Sequence, residues 1–286
     1  MANRIKTYFL LGILTVILVW IGGFFGKGGL ITALILASIL NLISYFFSDK
    51  IVLAMYRARE LKEEEDPYLH SIVSQLSQIA GIPKPKIYII NSNTPNAFAT
   101  GRNPDNAVIA LTTGIIELLN ENELKGVIGH ELTHIKNRDI LIATIAAIIA
   151  GAITFLARML QYIAFFGGID SDERKEGNIF RILAILLFAI LAPIAALIIQ
   201  LAISRSREYL ADEGGAKISG NPLFLANALK KLAYGVKRYP MVNANPSTSS
   251  LFIVNPFSGK TILTLFSTHP PIEDRIKKLE KMAFNG

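Results

Sequence analysis

The stretch Val127-Ile128-Gly129-His130-Glu131-Leu132-Thr133-His134-Ile135 sets the reading of this chain, because it holds two imidazoles and a carboxylate at helical spacing. At 100° per residue, with His130 set at 0°, His134 falls at about 40° and Glu131 at about 100°, so all three share one flank of a helix. Leu124, Ile128, Leu132 and Ile135 fall on the adjoining flank, so a site built here borders the core. Two neutral imidazoles four residues apart can bind one Zn2+, and the Glu beside the first can take a proton from a water that the metal activates. The pattern therefore points to hydrolysis. Asn120 and Glu123 make an N-cap pair that starts the helix just upstream. Gly126 and Gly129 sit inside the helix at a cost of roughly 1 kcal/mol each relative to Ala, which implies that another element approaches closely there.

Composition supplies the setting. The 286 residues are 51% hydrophobic with a mean hydropathy of +0.42, more apolar than a soluble domain, where about 45–50% including Gly is usual. Four uncharged or nearly uncharged runs stand out: 8–25, 30–47, 140–166 (interrupted by Arg158) and 180–203 (containing Pro193). Each approaches the length of a membrane span. The first run lacks a small-residue cleavage site and the second follows after Gly26-Lys27-Gly28-Gly29, so a membrane hairpin with a turn at those glycines is expected rather than a secretory signal. The net charge of +7 comes without a basic stripe interleaved with aromatics, so no nucleic-acid role is expected. The positive-inside rule explains it better. Arg4, Lys6, Lys50, Arg57, Arg59, Lys136, Arg138, Arg205 and Arg207 lie on one side of a four-span arrangement, and Lys27, Arg174 and Lys175 on the other. Both termini, segment 48–139 and everything from 204 onward are therefore expected in the cytoplasm. With no cysteine in the chain, any metal must be held by His and carboxylate.

Between the hairpins, the sequence predicts an amphipathic helix from Pro67 to Ile79, closed by Gly81 and Pro83, with His70 a surface or packing residue. Short strands are expected at Lys86–Ile90 and Ala107–Leu111. The intervening stretch around Asn96-Ala97-Phe98-Ala99 leaves two readings open. It is a turn-rich connection, or it is a strand whose small residues let a second backbone add to a sheet edge. Toward the C-terminus, Asn221-Pro222 opens a helix to Val236, residues 239–260 read as a long loop that either covers the cleft or is a plain insertion, and Ile272–Met282 closes the chain as a charged amphipathic helix.

A third metal ligand has to come from outside the helix. Asn137 and Ile140 stand where a three-histidine HExxHxxGxxH site needs Gly and His. Beyond the fourth run lies Ser204-Arg205-Ser206-Arg207-Glu208-Tyr209-Leu210-Ala211-Asp212, whose Glu208 and Asp212 are one helical turn apart. One carboxylate can bind the metal while the other orients a ligand imidazole. If the third and fourth runs form an antiparallel hairpin, their ends bring this turn to His134.

Gly129-His130-Glu131-Leu132-Thr133-His134, together with Arg205-Ser206-Arg207-Glu208-Tyr209-Leu210-Ala211-Asp212, resembles the HtpX family of membrane zinc metalloproteases, relatives of the CAAX prenyl proteases. The four runs, Asn96-Ala97-Phe98-Ala99 and His269-Pro270-Pro271 extend the resemblance over nearly the whole chain. It implies one Zn2+ on His130, His134 and Glu208, Glu131 as general base and Asp212 as the partner of a ligand. Residues 96–99 would form the substrate-binding edge. His269 would reach the cleft as an oxyanion donor, with Arg275 supporting it. The implied whole is a mainly α membrane protein in the cell (inner) membrane. It would have a hairpin in 1–47, catalytic segments in 48–139 and 204–286, a second hairpin in 140–203, and a gluzincin-like α+β zinc metallopeptidase domain on the cytoplasmic side. The implied activity is endopeptidase action on misfolded or damaged membrane proteins. Processing of prenylated peptides is the nearest alternative. A zinc-stabilised scaffold or chaperone is another, against which stands the intact Glu131.

Overall fold

A computed structural model of the chain describes residues 2–23, 26–166, 194, 198, 205–241, 246–256 and 269–285. Most of the fourth expected span, with Pro193, lies outside them, as do Arg174, Lys175 and parts of the 239–260 loop.

The N-terminal run folds as α1 (Ala2–Gly23), which packs against α2 (Gly26–Phe46). The glycines read as a turn are instead the first residues of α2. A Cβ on Gly22 would lie 2.6 Å from the carbonyl oxygen of Gly29, so Gly22 permits the close crossing of α1 and α2 there, whereas a Cβ on Gly26 or Gly28 would meet nothing within 4 Å. Among the described residues α2 is the helix that is long and apolar enough by itself to cross a membrane. The apolar part of α1, Thr7–Trp20, is shorter. α3 (Ser48–Met55) then leads to a four-stranded sheet and the helices around it.

In the sheet, β1 (Arg59–Glu60), β2 (Lys86–Ile90), β3 (Ala97–Gly101) and β4 (Ala107–Thr112) lie in the order β1-β2-β4-β3. β2 and β4 run parallel and the other two pairs antiparallel. The open question at residues 97–101 is thus resolved as a strand, and it forms the sheet's edge. Both faces of the sheet are buried. Ile87, Ile109 and Leu111 enter the main core, while Ile90, Phe98, Val108 and Ala110 join a second cluster with Val52, Leu53 and Phe252.

α4 (Pro67–Ala80) covers the first face. Asp66 caps it by accepting from the Leu69 amide at 2.9 Å, and Gly81, at φ 70°, ends it in the left-handed region that glycine tolerates. His70 is buried in this helix, with Nε2 3.0 Å from the Leu61 carbonyl, a packing residue as expected. After α5 (Thr113–Leu118) comes α6 (Glu121–Lys136), whose Leu124, Val127, Ile128, Leu132 and Ile135 fill the centre of the core. Truncating a fully buried leucine such as Leu132 to Ala would cost about 2–5 kcal/mol.

α7 (Asp139–Phe166) leaves α6 at an angle of 87°. The bend is made at Asn137-Arg138, and Arg138 adopts φ 58° to make it. Ile142, Ile145, Ala146, Ile149 and Ile153 form a buried stripe along α7 that packs with Leu10 and Leu14 of α1. α8 (Arg205–Ser219), α9 (Pro222–Arg238, capped by Asn221) and α10 (Ile272–Asn285) complete the domain. A 3-10 turn, Pro246–Leu251, packs against α7 and buries Thr248, Ser249 and Ser250.

Candidate metal centre

The site starts with the cap of α6. The Glu123 amide donates to Asn120 Oδ1 at 3.0 Å and the Asn120 amide to Glu123 Oε2 at 2.9 Å, a reciprocal pair that fixes where the helix begins. The two glycines then set what can approach. A Cβ on Gly126 would lie 2.5 Å from the backbone nitrogen of Leu225, and one on Gly129 would lie 2.8 Å from the carbonyl oxygen of Gly215. α9 and α8 therefore pack backbone to backbone on α6. The contact at Gly215 carries Asp212 and Glu208, about one and two turns earlier on α8, to the imidazoles.

His130 Nε2 and His134 Nε2 stand 3.2 Å apart. His134 Nε2 is 3.5 Å from Glu208 Oε1, and His130 Nε2 is 3.9 Å from Glu208 Oε2. Ligand atoms around a tetrahedral zinc with bonds of about 2.0–2.1 Å are separated by about 3.3 Å, so these three donors match the spacing such an ion needs. Glu208 is buried, and its Oε2 receives no hydrogen bond from any described residue. A buried carboxylate oxygen facing two imidazoles without a donor suits a cation. Electrostatics agree. Burial pushes His130 down to about 4, whereas His134, against the effect of burial, is pushed up to about 9 by its hydrogen bond to Asp139 and the charges of Glu208 and Glu131. Against burial, His269, His134 and Arg275 hold Glu208 down at about 2. Metal-free, the cluster thus favours one positive charge beside Glu208. A divalent cation held by these donors would displace a proton.

Glu131 is 2% exposed, and the Ala99 amide of β3 is near enough to favour its charged form slightly. Burial pushes it up to about 7, a value that suits a base working near neutral pH. Asp212 Oδ1 lies 3.0 Å from His130 Nδ1. Arg275 donates to both Asp212 oxygens, Nε to Oδ2 at 2.9 Å and Nη2 to Oδ1 at 2.7 Å, and Nη1 donates to the Ile253 carbonyl at 2.9 Å. Arg275, expected to support His269, is thus placed on Asp212. His269 lines the same cavity, with Nε2 3.4 Å from Glu208 Oε2.

Of residues 96–99, Ala99 borders the metal cavity. The other three engage the chain's own 252–254 stretch. The Ile253 amide donates to the Ala97 carbonyl at 2.9 Å, Asn96 Nδ2 donates to the Val254 carbonyl at 2.7 Å, and Phe98 packs edge-on against Phe252. Two residues beside the site were not singled out in the sequence. Asp139 Oδ2 is 3.3 Å from His134 Nδ1, and Arg207 Nη1 is 3.5 Å from Asp139 Oδ1. The polar run Lys136–Asp139 between two apolar helices was visible, but the 87° bend that turns Asp139 back onto His134 was not.

Residues 63–283 match the model of peptidase family M48. The chain is 57% identical over 282 residues to a protease HtpX homolog of Thermodesulfovibrio yellowstonii, covering 98% of this chain and 99% of the relative. It is 54% identical over 285 residues to one of Syntrophobacter fumaroxidans (99% and 100%), and 54% identical over 280 residues to one of Pyrococcus furiosus (98% and 96%). Among solved structures, S. mikatae Ste24p is similar in fold, with a TM-score of 0.50 at 20% identity over 98% of this chain and 66% of that one. A whole-length match at this identity, over a helix that carries the metal-binding pattern intact, has one reading: the chain belongs to peptidase family M48, among the HtpX proteases, and is a membrane metalloprotease.

Proposed function

We propose that this protease is zinc-dependent and cleaves polypeptides internally, acting on misfolded or damaged membrane proteins at the cytoplasmic face of the cell membrane. The observation that carries the zinc reading is the convergence of one donor atom each from His130, His134 and Glu208 within 4.8 Å of one another. A bound Zn2+ would supply Lewis acidity, acidifying a water and polarising the scissile carbonyl.

The chain's own groups do the rest. Glu131 is the group that takes the proton from the attacking water and returns it to the departing amine. Ala99 of β3 and Glu131 line the same cavity, which sets the base beside the sheet edge. A substrate strand adding to this edge near Ala99 presents its peptide bond beside the base. Asp212, with Oδ1 3.0 Å from Nδ1 of His130, favours the proton on that nitrogen and leaves Nε2 for the metal. His269, at the cavity rim, donates toward the oxygen that becomes negative as the carbonyl is attacked.

Four membrane spans, with both termini and catalytic segments 48–139 and 204–286 in the cytoplasm, fit the Lys and Arg distribution. Sites at the cytoplasmic ends of spans would then be within reach of an active site at the start of α7. The test is cleavage-site mapping by mass spectrometry, with zinc-loaded protein on a panel of destabilised membrane proteins and their folded forms. Cuts confined to cytoplasmic loops and faster on the destabilised forms support the reading. Equal cutting of folded and destabilised forms, or cuts in segments of the opposite side, refute it.

A further inference from the structure

The two imidazoles are held in the same way by different elements. His130 Nδ1 faces Asp212 of α8, and Arg275 stands behind that carboxylate. His134 Nδ1 faces Asp139, the first residue of α7, and Arg207 of α8 stands behind that one. Asp139 divides its two oxygens, Oδ2 toward the imidazole and Oδ1 toward the guanidinium. It is buried, as is Asp212. A histidine that binds metal through Nε2 must carry its proton on Nδ1, and a carboxylate accepting that proton fixes the tautomer, the ring plane and the basicity of Nε2.

Local backbone puts Asp139 where it can do this. An α6 continued straight through 137–139 would place Asp139 about 140° around the helix from His134 and more than a turn beyond it. The bend at Arg138, bought with a left-handed φ of 58° on a residue with a Cβ, returns Asp139 to the ligand. A backbone held in that region away from glycine persists where the surrounding contacts demand it.

We propose that Asp139, braced by Arg207, is the positioning residue for His134, fixing that ligand for the metal as Asp212 fixes His130. The inference rests on the ligand set His130, His134 and Glu208 put forward above. One consequence is that the metal centre is tied to the first turn of α7, so displacement of that helix disturbs His134 directly.

The competing account is that Asp139 only favours the start of α7 as an acid in its first turn. The experiment separates the two. Full-length wild type and Asp139→Ala, Asp139→Asn, Asp139→Glu and Arg207→Gln are purified in detergent and stripped of metal, and Zn2+ is titrated back against a chromophoric chelator. Metal-free Tm and the visible spectrum of the Co2+ form are recorded for each. A positioning role predicts a zinc Kd raised about 10- to 100-fold in Asp139→Ala, stoichiometry still one per chain, an altered Co2+ spectrum, partial recovery in Asp139→Glu, and a smaller rise in Arg207→Gln. A helix-start role predicts a lowered metal-free Tm with zinc Kd and Co2+ spectrum unchanged. A Kd within twofold of wild type in both Asp139→Ala and Asp139→Asn overturns the proposal. Should Asp139→Ala fail to fold, the isosteric Asp139→Asn decides alone. Failure of the ligand set itself looks different, since the wild type would then take up no zinc, or His130→Ala would keep it.

Discussion

His269 closes the rim of the metal cavity from a segment far from α6 in sequence, with its Nε2 3.4 Å from Glu208 Oε2. As an oxyanion donor it interacts with charge that exists only in the transition state, and loss of such a donor typically costs about 10²- to 10³-fold in turnover. We therefore expect His269→Ala to lower kcat by that range with KM and zinc content little changed, as read by steady-state kinetics and metal analysis. Wild-type turnover would make His269 a packing residue. Loss of zinc would make it a ligand. Arg275 differs in kind. Buried, and bonded to Asp212 and the Ile253 carbonyl, it ties α10 to α8 and to the stretch that lies along β3. Its neighbours were not legible in the sequence, because a hydrogen bond across 63 positions leaves no periodic trace.

The crossing of α6 and α8 is the element that makes the site. A Cβ on Gly215 would lie 2.7 Å from the backbone nitrogen of His130, which cannot move aside as a side chain would. Gly215→Ala should therefore displace α8, lower stability by about 1–3 kcal/mol and weaken zinc binding through Glu208. Gly12, with nothing within 4 Å of its added Cβ, is the control, and Gly12→Ala should leave both unchanged. Thermal unfolding of the metal-free protein and zinc titration read the two effects. A Gly215→Ala protein with wild-type stability and zinc affinity would contradict the crossing.

Helix starts and stops were the legible part of the fold. Asn120 with Glu123, Asp66-Pro67 with Gly81, and Asn221-Pro222 act within one turn, so their residues carry the signal locally. The sheet was half legible. β3 is buried on both faces and so shows no polar alternation, and the two-residue β1 sits in a charged stretch with no apolar pattern at all. The 246–251 turn reads as a polar loop, yet Thr248, Ser249 and Ser250 are buried against α7, where tertiary contacts override composition. Of the site, the motif on α6 and the carboxylate turn on α8 were readable from spacing. Asp139 was hidden by the bend.

For the whole molecule, the charge distribution makes a claim about sidedness that the absence of cysteine makes easy to test. A cysteine at Asp172 should react with an impermeant thiol reagent applied outside, while cysteines at the exposed Asn122 and Lys281 should react only after the membrane is opened. The reverse pattern would place the metal centre outside. At every scale the account depends on one division of labour, with His130, His134 and Glu208 holding zinc and Glu131 moving the proton. Glu131→Gln tests it most directly, since it keeps the shape of the side chain and removes only the base. Zinc content and proteolysis of an unfolded substrate are measured on the same preparation. The account predicts one zinc per chain with proteolysis lowered at least about a hundredfold. Loss of zinc, or retention of wild-type proteolysis with zinc bound, would contradict it.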